Sequence, residues 1–303
     1  MLLVTEKNAR PEQPRNPSGP DFLCVGMAKA GTAWLGDQLR RHPQFWMPPV
    51  QELGYLGRDA PALRSANRRL QRIRHRTSRK NAVLPKNVSE ADMCFLEEIA
   101  ACTGQPRNID KYLSLFRHKG GLLAGDISPG YSTLEPHIIH ELLEKMPAIR
   151  VVLLIRDPIE RLWSHISMWH RNGKFDAGLL NEPAAFGSYL ETAKMPNEAS
   201  SPTQIVAHWS QLLPPDSFRY FFFDDIVTRP DSVRREIIAF LRADPDIGSG
   251  ELPADYNRKS QSAKLTLTPP IKALLVEHCA KEIRACAQTL GGSATAWPTR
   301  YGL

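Results

Sequence analysis

Cysteine pairs are missing from this chain of 303 residues. Its five cysteines are widely spaced and form no Cys-x-x-Cys pair: Cys24, Cys94, Cys102, Cys279 and Cys286. This spacing gives no support to a disulfide framework or to a zinc site built from cysteine pairs. We therefore expect reduced thiols, most of them buried.

Long apolar runs are also missing. No segment approaches the roughly 18 apolar residues that a membrane span needs. The amino terminus lacks the apolar core of a signal peptide. The sequence thus predicts a cytoplasmic protein that makes no membrane contact.

Acidic residues are in the minority. Lysine and arginine number 39 against 32 aspartates and glutamates, which gives a formal net charge of +7. This excess suits an anionic ligand, and nucleic acid is one class of such ligands. However, the densest basic run, residues 64–80, contains no Phe, Trp or Tyr, and no zinc-finger or RNA-binding signature is present. We therefore expect no nucleic-acid partner.

The basic run at residues 64–80 has the spacing of an amphipathic helix. Arg68, Arg72 and Arg76 are one helical turn apart, while Leu70 and Ile73 lie on another face. Two interpretations stay open. The arginines form either a solvated helix face or a rim that attracts an anionic acceptor or the acidic surface of a carrier protein.

A glycine-containing turn joins an apolar strand to an amphipathic helix early in the chain. Phe22–Val25 is predicted as a buried strand, Gly26 begins the turn, and a helix is predicted from Thr32. The amides and positive dipole end of that helix, with the Lys29 ammonium and the Thr32 hydroxyl, would converge on an anion. The order G-M-A-K-A-G-T differs from the nucleotide P-loop G-x-x-x-x-G-K-[ST], because its lysine precedes the second glycine.

A second strand, turn and helix follow later in the chain. Val151–Ile155 is predicted as a central strand, with Arg156 at its carboxyl end. Asp157 can cap the next helix, and Pro158 suits its first position. Ser164 lies about two turns into that helix on the face of Asp157, so Arg156 and Ser164 can converge on one small anion. A capped helix with surface ion pairs is the alternative for this segment alone.

Together, the two segments resemble the donor site of sulfotransferases that use 3′-phosphoadenosine 5′-phosphosulfate (PAPS). The first resembles the 5′-phosphosulfate loop GxxKxGTTxL, with Ala33 at the second threonine, and the second resembles the 3′-phosphate site RDPxERxxSxx. The resemblance implies PAPS as donor and 3′-phosphoadenosine 5′-phosphate (PAP) as product. It implies a donor site formed by Ala28, Lys29, Ala30, Gly31, Thr32, Ala33, Arg156 and Ser164.

Two further stretches extend the resemblance, which runs from Asp21 to Trp297. AGDISPGYSTL, residues 124–134, resembles the G-[DE]-x-[ST]-P-x-Y segment of carbohydrate-type and bacterial sulfotransferases. Residues 256–297 resemble the family's basic loop, closing helix and terminal tryptophan. That loop would cover the donor phosphates with Arg258, Lys259, Ser260 and Lys264. A solvated basic loop is the alternative for each of these four residues.

The acceptor side offers one candidate general base. The stretch PPVQELGYLGRD resembles the K-E-x-H-[FY]-F segment of the heparan sulfate type, and Glu52 stands at the position of the proposed base. Gln51 replaces the lysine of that pattern and Gly54 replaces its histidine. A loop glutamate in an ion pair is the alternative, with Asp126 or His42 taking the proton instead.

The order of the predicted elements indicates the fold. Strands are predicted at 22–25, 44–47, 121–125, 150–155 and 218–223, interleaved with helices. This alternation predicts an α/β fold, a three-layer P-loop-like parallel sheet flanked by helices. Proline-rich residues 1–20 are predicted to be a flexible tail and residues 21–303 a single domain. Residues 172–201 are interpreted as an insertion that either shapes the acceptor pocket or forms a surface excursion.

The sequence predicts an enzyme that transfers a sulfuryl group from PAPS to a hydroxyl, or as second choice an amine, of a carbohydrate or small metabolite. Such transfer depends on in-line positioning and fixed positive charge, and Lys29 is the residue predicted to neutralise the leaving oxygen. No metal is expected, because the sulfuryl group carries less charge than a phosphoryl group. A non-catalytic nucleotide-binding protein of the same fold and a P-loop kinase stay open as alternatives, and the oligomeric state is undetermined.

Overall fold

A parallel β-sheet organises the computed structural model, which describes residues 18–57, 67–71, 73, 88–192, 201–248, 252–257 and 265–303. The strands of these ranges are β1 (Phe22–Cys24), β2 (Phe45–Trp46), β3 (Leu123–Ile127), β4 (Arg150–Ile155) and β5 (Phe218–Phe222). They lie in the order β2-β3-β1-β4-β5, and every neighbouring pair is parallel. The chain extends the sheet to one side of β1 and then to the other, so the ligand crevice of such a sheet is expected at the carboxyl end of β1.

Helices flank this sheet and complete the predicted three-layer α/β fold. They are α1 (Thr32–Arg41), α2 (Glu90–Ala101), α3 (Ile109–Ser114), α4 (Pro136–Lys145), α5 (Pro158–Arg171), α6 (Pro183–Thr192), α7 (Pro202–Leu212), α8 (Phe223–Thr228), α9 (Pro230–Phe240), α10 (Pro269–Thr289) and α11 (Trp297–Tyr301). Short 3-10 turns occupy Leu115–Lys119, Pro129–Thr133, Ala177–Asn181, Pro215–Ser217 and Gly292–Ala296. Helix α1 packs against α9, and α5 packs against α10.

The five predicted strands are confirmed, with one shift in position. The strand predicted at 121–125 runs over Leu123–Ile127. Gly120 and Gly121 have φ values of +60° and +81°, a left-handed conformation that belongs to a turn and delays the strand. The shift places Asp126 inside the strand, where all five residues are buried.

The centre of the sheet is inaccessible to solvent. Residues Val151–Ile155 of β4 are all 0% exposed, which fits a strand covered on both faces by other layers. The β1–β3 contact depends on Gly125, because a Cβ atom there would overlap the ring of Phe22. The core therefore fixes the positions of the strand ends, where the two predicted phosphate motifs begin.

Helix α1 buries two of its polar residues. Asp37 and Gln38 have exposed fractions of 7% and 1%. The segment 252–257 covers this face: the Gln38 side-chain amide donates to the Pro253 carbonyl at 3.0 Å. The Trp34 indole donates to the Ala254 carbonyl at 2.7 Å. Helix α1 is thus enclosed on two sides, more tightly than its polar residues suggest.

The described residues cover several smaller predictions, some of them only in part. Cys24, Cys102, Cys279 and Cys286 are buried, Cys94 is exposed, and all five are free thiols, as expected. In the basic run, Leu70 and Ile73 are buried and Arg68 is exposed, whereas Arg72 and Arg76 lie outside the described residues. No helix in the described ranges is long and apolar enough to span a membrane.

The structure also describes parts of the predicted insertion and of the predicted tail. Helix α6, inside residues 172–201, buries Phe186 and Leu190 and packs on α10. This part of the insertion is therefore an integrated element and not a simple excursion. At the amino end, the Gly19 carbonyl accepts a hydrogen bond from Lys119 at 2.9 Å, and Gly19 and Pro20 are buried. The described chain is thus already packed at residue 19, while residues 1–17 lie outside it.

Candidate functional site

The turn after β1 presents a helix amino terminus. Gly26, Lys29 and Gly31 have positive φ values of 153°, 72° and 102°. Gly31 is the N-cap of α1 and provides no side-chain cap, so the amides of the first helical turn, including those of Thr32 and Ala33, lack intrahelical acceptors. The Ala30 amide, in contrast, donates to the Met27 carbonyl at 3.1 Å and is occupied within the turn.

Arg156 connects the two predicted phosphate motifs. Its guanidinium donates to the Lys29 carbonyl at 3.2 Å and to the Glu160 carboxylate at 3.0 and 3.3 Å. It also lies 4.4 Å from the ring centroid of Phe223, a cation–π distance. A Cβ atom on Gly31 would meet that same ring at 3.2 Å. Arg156 is therefore held against the glycine turn, as its place at the end of β4 requires.

The amino end of α5 is capped from two directions. Asp157 is 0% exposed and accepts hydrogen bonds from the amides of Ile159 and Glu160 at 2.9 and 3.3 Å, the cap that the sequence predicts. Its other carboxylate oxygen accepts from the Tyr301 hydroxyl at 2.9 Å and from Arg300 at 3.1 Å. Burial raises the pKa of Asp157, and these donors oppose that rise. The carboxyl-terminal helix α11 is thereby fastened to the helix that follows Arg156.

A cavity of about 470 Å³ lies along α5. It brings together Lys29, Arg156 and Ser164, three residues predicted for the donor site from segments more than a hundred positions apart. The lining residues are Lys29, Arg156, Ile159, Glu160, Trp163, Ser164, Ser167, Arg171, Leu267, Lys272, Arg300 and Tyr301. Five of these are cationic (Lys29, Arg156, Arg171, Lys272, Arg300) and one is a carboxylate (Glu160), so the wall is strongly positive.

Only three of the twelve lining residues, Lys29, Arg156 and Ser164, are predicted from the sequence. Trp163, Ser167 and Arg171 share the helical face of Ser164 at intervals of three to four residues, so the spacing on α5 could have found them. Lys272, Arg300 and Tyr301 come from α10 and α11. No local pattern marks these three residues, because only the packing of α10 and α11 brings them to α5.

Helix α5 carries two further basic side chains, the half-buried His165 and the buried Arg161. Burial, with the positive charges of Arg161 and Lys29, lowers the pKa of His165 to about 4. Arg161 is 3% exposed, and burial lowers its pKa to about 10. At neutral pH the histidine is therefore uncharged and the arginine is charged.

Glu52 does not line this cavity. It is exposed and has φ +57°, the left-handed region. Gly54, two residues on, has φ +61°. That conformation favours glycine over the histidine of the heparan sulfate pattern. The structure thus brings Lys29, Arg156 and Ser164 to one cavity, while the roles of these residues and of Glu52 stay predictions.

The alternative proton acceptors, Asp126 and His42, are both buried. Each is 1% exposed. The Asp126 carboxylate accepts from three hydroxyls, and burial raises its pKa to about 6. His42 bonds the Asp244 carbonyl through Nε2 at 3.0 Å and the Gln44 amide through Nδ1 at 3.3 Å. Both side chains are engaged in internal hydrogen bonds, which argues against their taking the proton of an acceptor, and their role stays a prediction.

Part of the predicted site lies beyond the described residues. Arg258, Lys259, Ser260 and Lys264 belong to it. Within the ranges that the structure covers, no three His, Cys, Asp or Glu side chains are grouped closely enough to hold a metal ion. Both the phosphate-covering loop and the metal-free chemistry remain predictions.

Comparison with protein-family models decides the family. Residues 20–246, well over half of the chain, match the model of the sulfotransferase family. The chain belongs to the sulfotransferase family. No curated protein gives a significant match to this sulfotransferase.

One solved structure agrees with the fold of this sulfotransferase, and a second is similar over most of its length. A sulfotransferase from Alicyclobacillus acidocaldarius is 17% identical, with a TM-score of 0.62 over 92% of this chain and 98% of that one. The sulfotransferase domain of the Synechococcus PCC 7002 olefin synthase is 16% identical, with a TM-score of 0.46 over 90% and 98%. At 17% identity, the similarity to the Alicyclobacillus acidocaldarius structure supports the predicted fold and nothing beyond the fold.

Proposed function

We propose that this sulfotransferase moves a sulfuryl group from PAPS to a hydroxyl, or as second choice an amine, of a carbohydrate or small metabolite. One observation carries the proposal: Lys29, Arg156 and Ser164 line a single cavity at the carboxyl edge of the sheet. These are the residues that the resemblance assigns to the two phosphate groups of the donor. We retain the predicted cytoplasmic location and the absence of a nucleic-acid partner as parts of the proposal.

The residues of the cavity suit a donor with two separated anionic groups. The amides at the start of α1, with Thr32 and Lys29, would hold the 5′-phosphosulfate, and Arg156 and Ser164 would hold the 3′-phosphate. Ser167 adds an independent sign of ligand binding: it is 4% exposed, lines the cavity, and its hydroxyl has no hydrogen-bond partner among the described residues. A buried hydroxyl without a partner is costly unless a ligand or water supplies one.

The chemistry assigned to the chain is largely electrostatic. Lys29 would neutralise charge as it develops on the oxygen between phosphate and sulfuryl group, and the fixed amides of the turn would keep the phosphate in line. The Arg156 guanidinium donates to the Lys29 carbonyl at 3.2 Å. The residue proposed for the 3′-phosphate therefore contacts the turn that carries the lysine proposed for the reacting centre. Lysine and arginine supply the positive charge that magnesium supplies in kinases, and no metal is required in this proposal.

Glu52 is proposed as the general base that takes the proton of the acceptor hydroxyl. Its exposure keeps it accessible, and its backbone belongs to the segment following β2, at the same edge of the sheet as the glycine turn. A base must reach hydrogen-bond distance of the attacking group, and such distances often tighten only when substrate binds. The absence of Glu52 from the cavity wall is the observation that favours the alternative, a non-catalytic nucleotide-binding protein.

A turnover assay separates these functions. Purified protein is incubated with PAPS and a mixture of hydroxyl and amine acceptors in the presence of EDTA, and PAP formation is followed. A parallel sample receives ATP and magnesium. The proposal predicts PAP formation that is insensitive to EDTA and abolished in Lys29→Ala, with no ATP turnover. ATP turnover alone would indicate a kinase, and binding of PAP without any turnover would indicate the non-catalytic alternative.

A further inference from the structure

A buried carboxylate lies beneath the segment that carries Glu52. Asp126, on β3, is 1% exposed and accepts hydrogen bonds from Ser128 at 2.6 Å, Tyr131 at 2.8 Å and Tyr112 at 3.1 Å. The backbone of Leu53 also hydrogen-bonds to it. An isolated buried carboxylate would be strongly unfavourable, so this cluster is a built feature and not an incidental contact.

Two of the three hydroxyls also accept hydrogen bonds from the chain that follows Glu52. The Ser128 hydroxyl accepts from the Gly54 amide at 3.0 Å, and the Tyr131 hydroxyl accepts from the Leu56 amide at 3.2 Å. A hydroxyl has one proton to donate and two lone pairs. Because Asp126 is an acceptor, it directs both protons toward itself and leaves the lone pairs for the loop amides.

The restrained segment needs outside support. Glu52 has φ +57° and Gly54 has φ +61°, so two left-handed residues stand close together in the chain. For a residue with a Cβ atom, this conformation is unfavourable and persists where surrounding contacts fix it. The contacts that fix it here are the amides of Leu53, Gly54 and Leu56 bound to the Asp126 cluster.

The cluster is continuous with the glycine turn. The Ser128 amide donates to the Cys24 carbonyl at 3.0 Å, which extends the β1–β3 pairing to the start of the turn. A Cβ atom on Gly26 would meet the side chain of Ser132 at 3.5 Å and the carbonyl of Pro129 at 3.6 Å. Residues 128–132, which include the two hydroxyls that hold the Glu52 segment, therefore lie beside β1 and the start of the turn that carries Lys29.

We propose that Asp126 is a positioning residue, which fixes the Glu52 segment relative to the glycine turn through the hydroxyls of Ser128 and Tyr131. Asp126 itself does not touch the substrate. This inference rests on the proposed function, because it assigns a catalytic consequence to the position of Glu52. It adds a residue that the phosphate motifs do not reveal.

The two tyrosines provide a matched pair of variants. Both are 0% exposed and both donate to the same carboxylate oxygen, but only Tyr131 also accepts from the loop. Hydrogen–deuterium exchange of peptides spanning residues 51–57 should quicken at least tenfold in Asp126→Asn and Tyr131→Phe. It should change less than threefold in Tyr112→Phe, with peptides of the glycine turn unchanged in all three. Equal effects of the two tyrosine variants would overturn the proposal.

Kinetics then tests the catalytic half. Asp126→Asn and Tyr131→Phe should lower kcat for PAP formation at least tenfold while the KM for PAPS and the dissociation constant of PAP stay within twofold. In the Glu52→Gln background, Asp126→Asn should cost less than a further twofold, because it acts through Glu52. Additive losses, or a parallel loss of PAP binding, would contradict a positioning role.

The same measurements keep this inference separate from the proposed function. If wild-type protein fails to bind PAP, the donor assignment fails whatever the exchange data show. If PAP binds, and the exchange rates of residues 51–57 ignore Asp126→Asn, the positioning inference alone fails. If exchange responds but kcat does not, Asp126 supports the fold of the loop and the catalytic consequence is wrong.

Discussion

The donor side and the acceptor side of the candidate site are built differently. On the donor side, Lys29 follows β1, and Arg156 and Ser164 follow β4, so each lies in a strand–turn–helix unit with a local sequence pattern. The Arg156 guanidinium joins the two units at the Lys29 carbonyl. On the acceptor side, the Glu52 segment is held by hydroxyls 74 and 75 positions away in sequence. The donor residues are thus marked by local sequence patterns, whereas no local pattern marks the contacts that position the proposed base.

Removal of Lys29 should break the donor side most severely. Lys29→Ala should lower kcat for PAP formation at least about 100-fold, because it removes charge stabilisation specific to the transition state. PAP affinity should fall less than tenfold, since the turn amides remain. The measurement is PAP release from PAPS, with Lys145→Ala as control, a surface lysine whose ion pair with Asp110 is remote from the cavity wall. Turnover of Lys29→Ala within tenfold of wild type would contradict the assignment.

The same contrast explains how far the sequence could predict this molecule. The apolar run of β4 and the Asp157-Pro158 cap are local signals, and both are confirmed. Arg300 and Tyr301 reach the site only because α11 packs at the start of α5, which no local spacing reveals. Asp126 was interpreted as a possible base because burial could not be read from a single acidic residue in a strand.

Removal of the Ser164 hydroxyl should separate 3′-phosphate binding from 5′-phosphate binding within the donor side. Ser164→Ala should weaken PAP binding about tenfold, the effect of one hydrogen bond to a charged group, and leave adenosine 5′-phosphate binding within twofold. Calorimetric titration with both nucleotides measures this difference. Ser188→Ala is the control, because Ser188 lies on the exposed surface and its hydroxyl donates to the Ala184 carbonyl of the same helix. Equal losses for the two nucleotides would place Ser164 away from the 3′-phosphate.

The smallest effects concern pH, and they have opposite signs on the two sides. Burial raises the pKa of Asp126 from 3.8 to about 6, so its contribution to stability falls as pH rises from about 4 to 6. Burial lowers the pKa of His165 from 6.5 to about 4, so its contribution falls as pH drops through the same window.

Urea unfolding between pH 4 and 6.5 tests this contrast. Relative to wild type, Asp126→Asn should gain stability as pH rises, and His165→Asn should gain stability as pH falls. Each variant serves as the control for the other, because titrations elsewhere in the chain are common to both. Slopes of the same sign for the two variants would show that one of the two environments is wrongly assigned.

The most direct test of the donor site is calorimetric titration with PAP and adenosine 5′-phosphate on wild type, Arg156→Ala and Arg234→Ala. Arg234 is the matched control, since both arginine side chains are 19% exposed and each is ion-paired with a carboxylate three or four residues away, Asp231 for Arg234 and Glu160 for Arg156. We predict that wild type and Arg234→Ala bind PAP at least about 100-fold more tightly than adenosine 5′-phosphate, and that Arg156→Ala loses this preference. Equal affinity of wild type for the two nucleotides, or an unchanged preference in Arg156→Ala, would contradict the account.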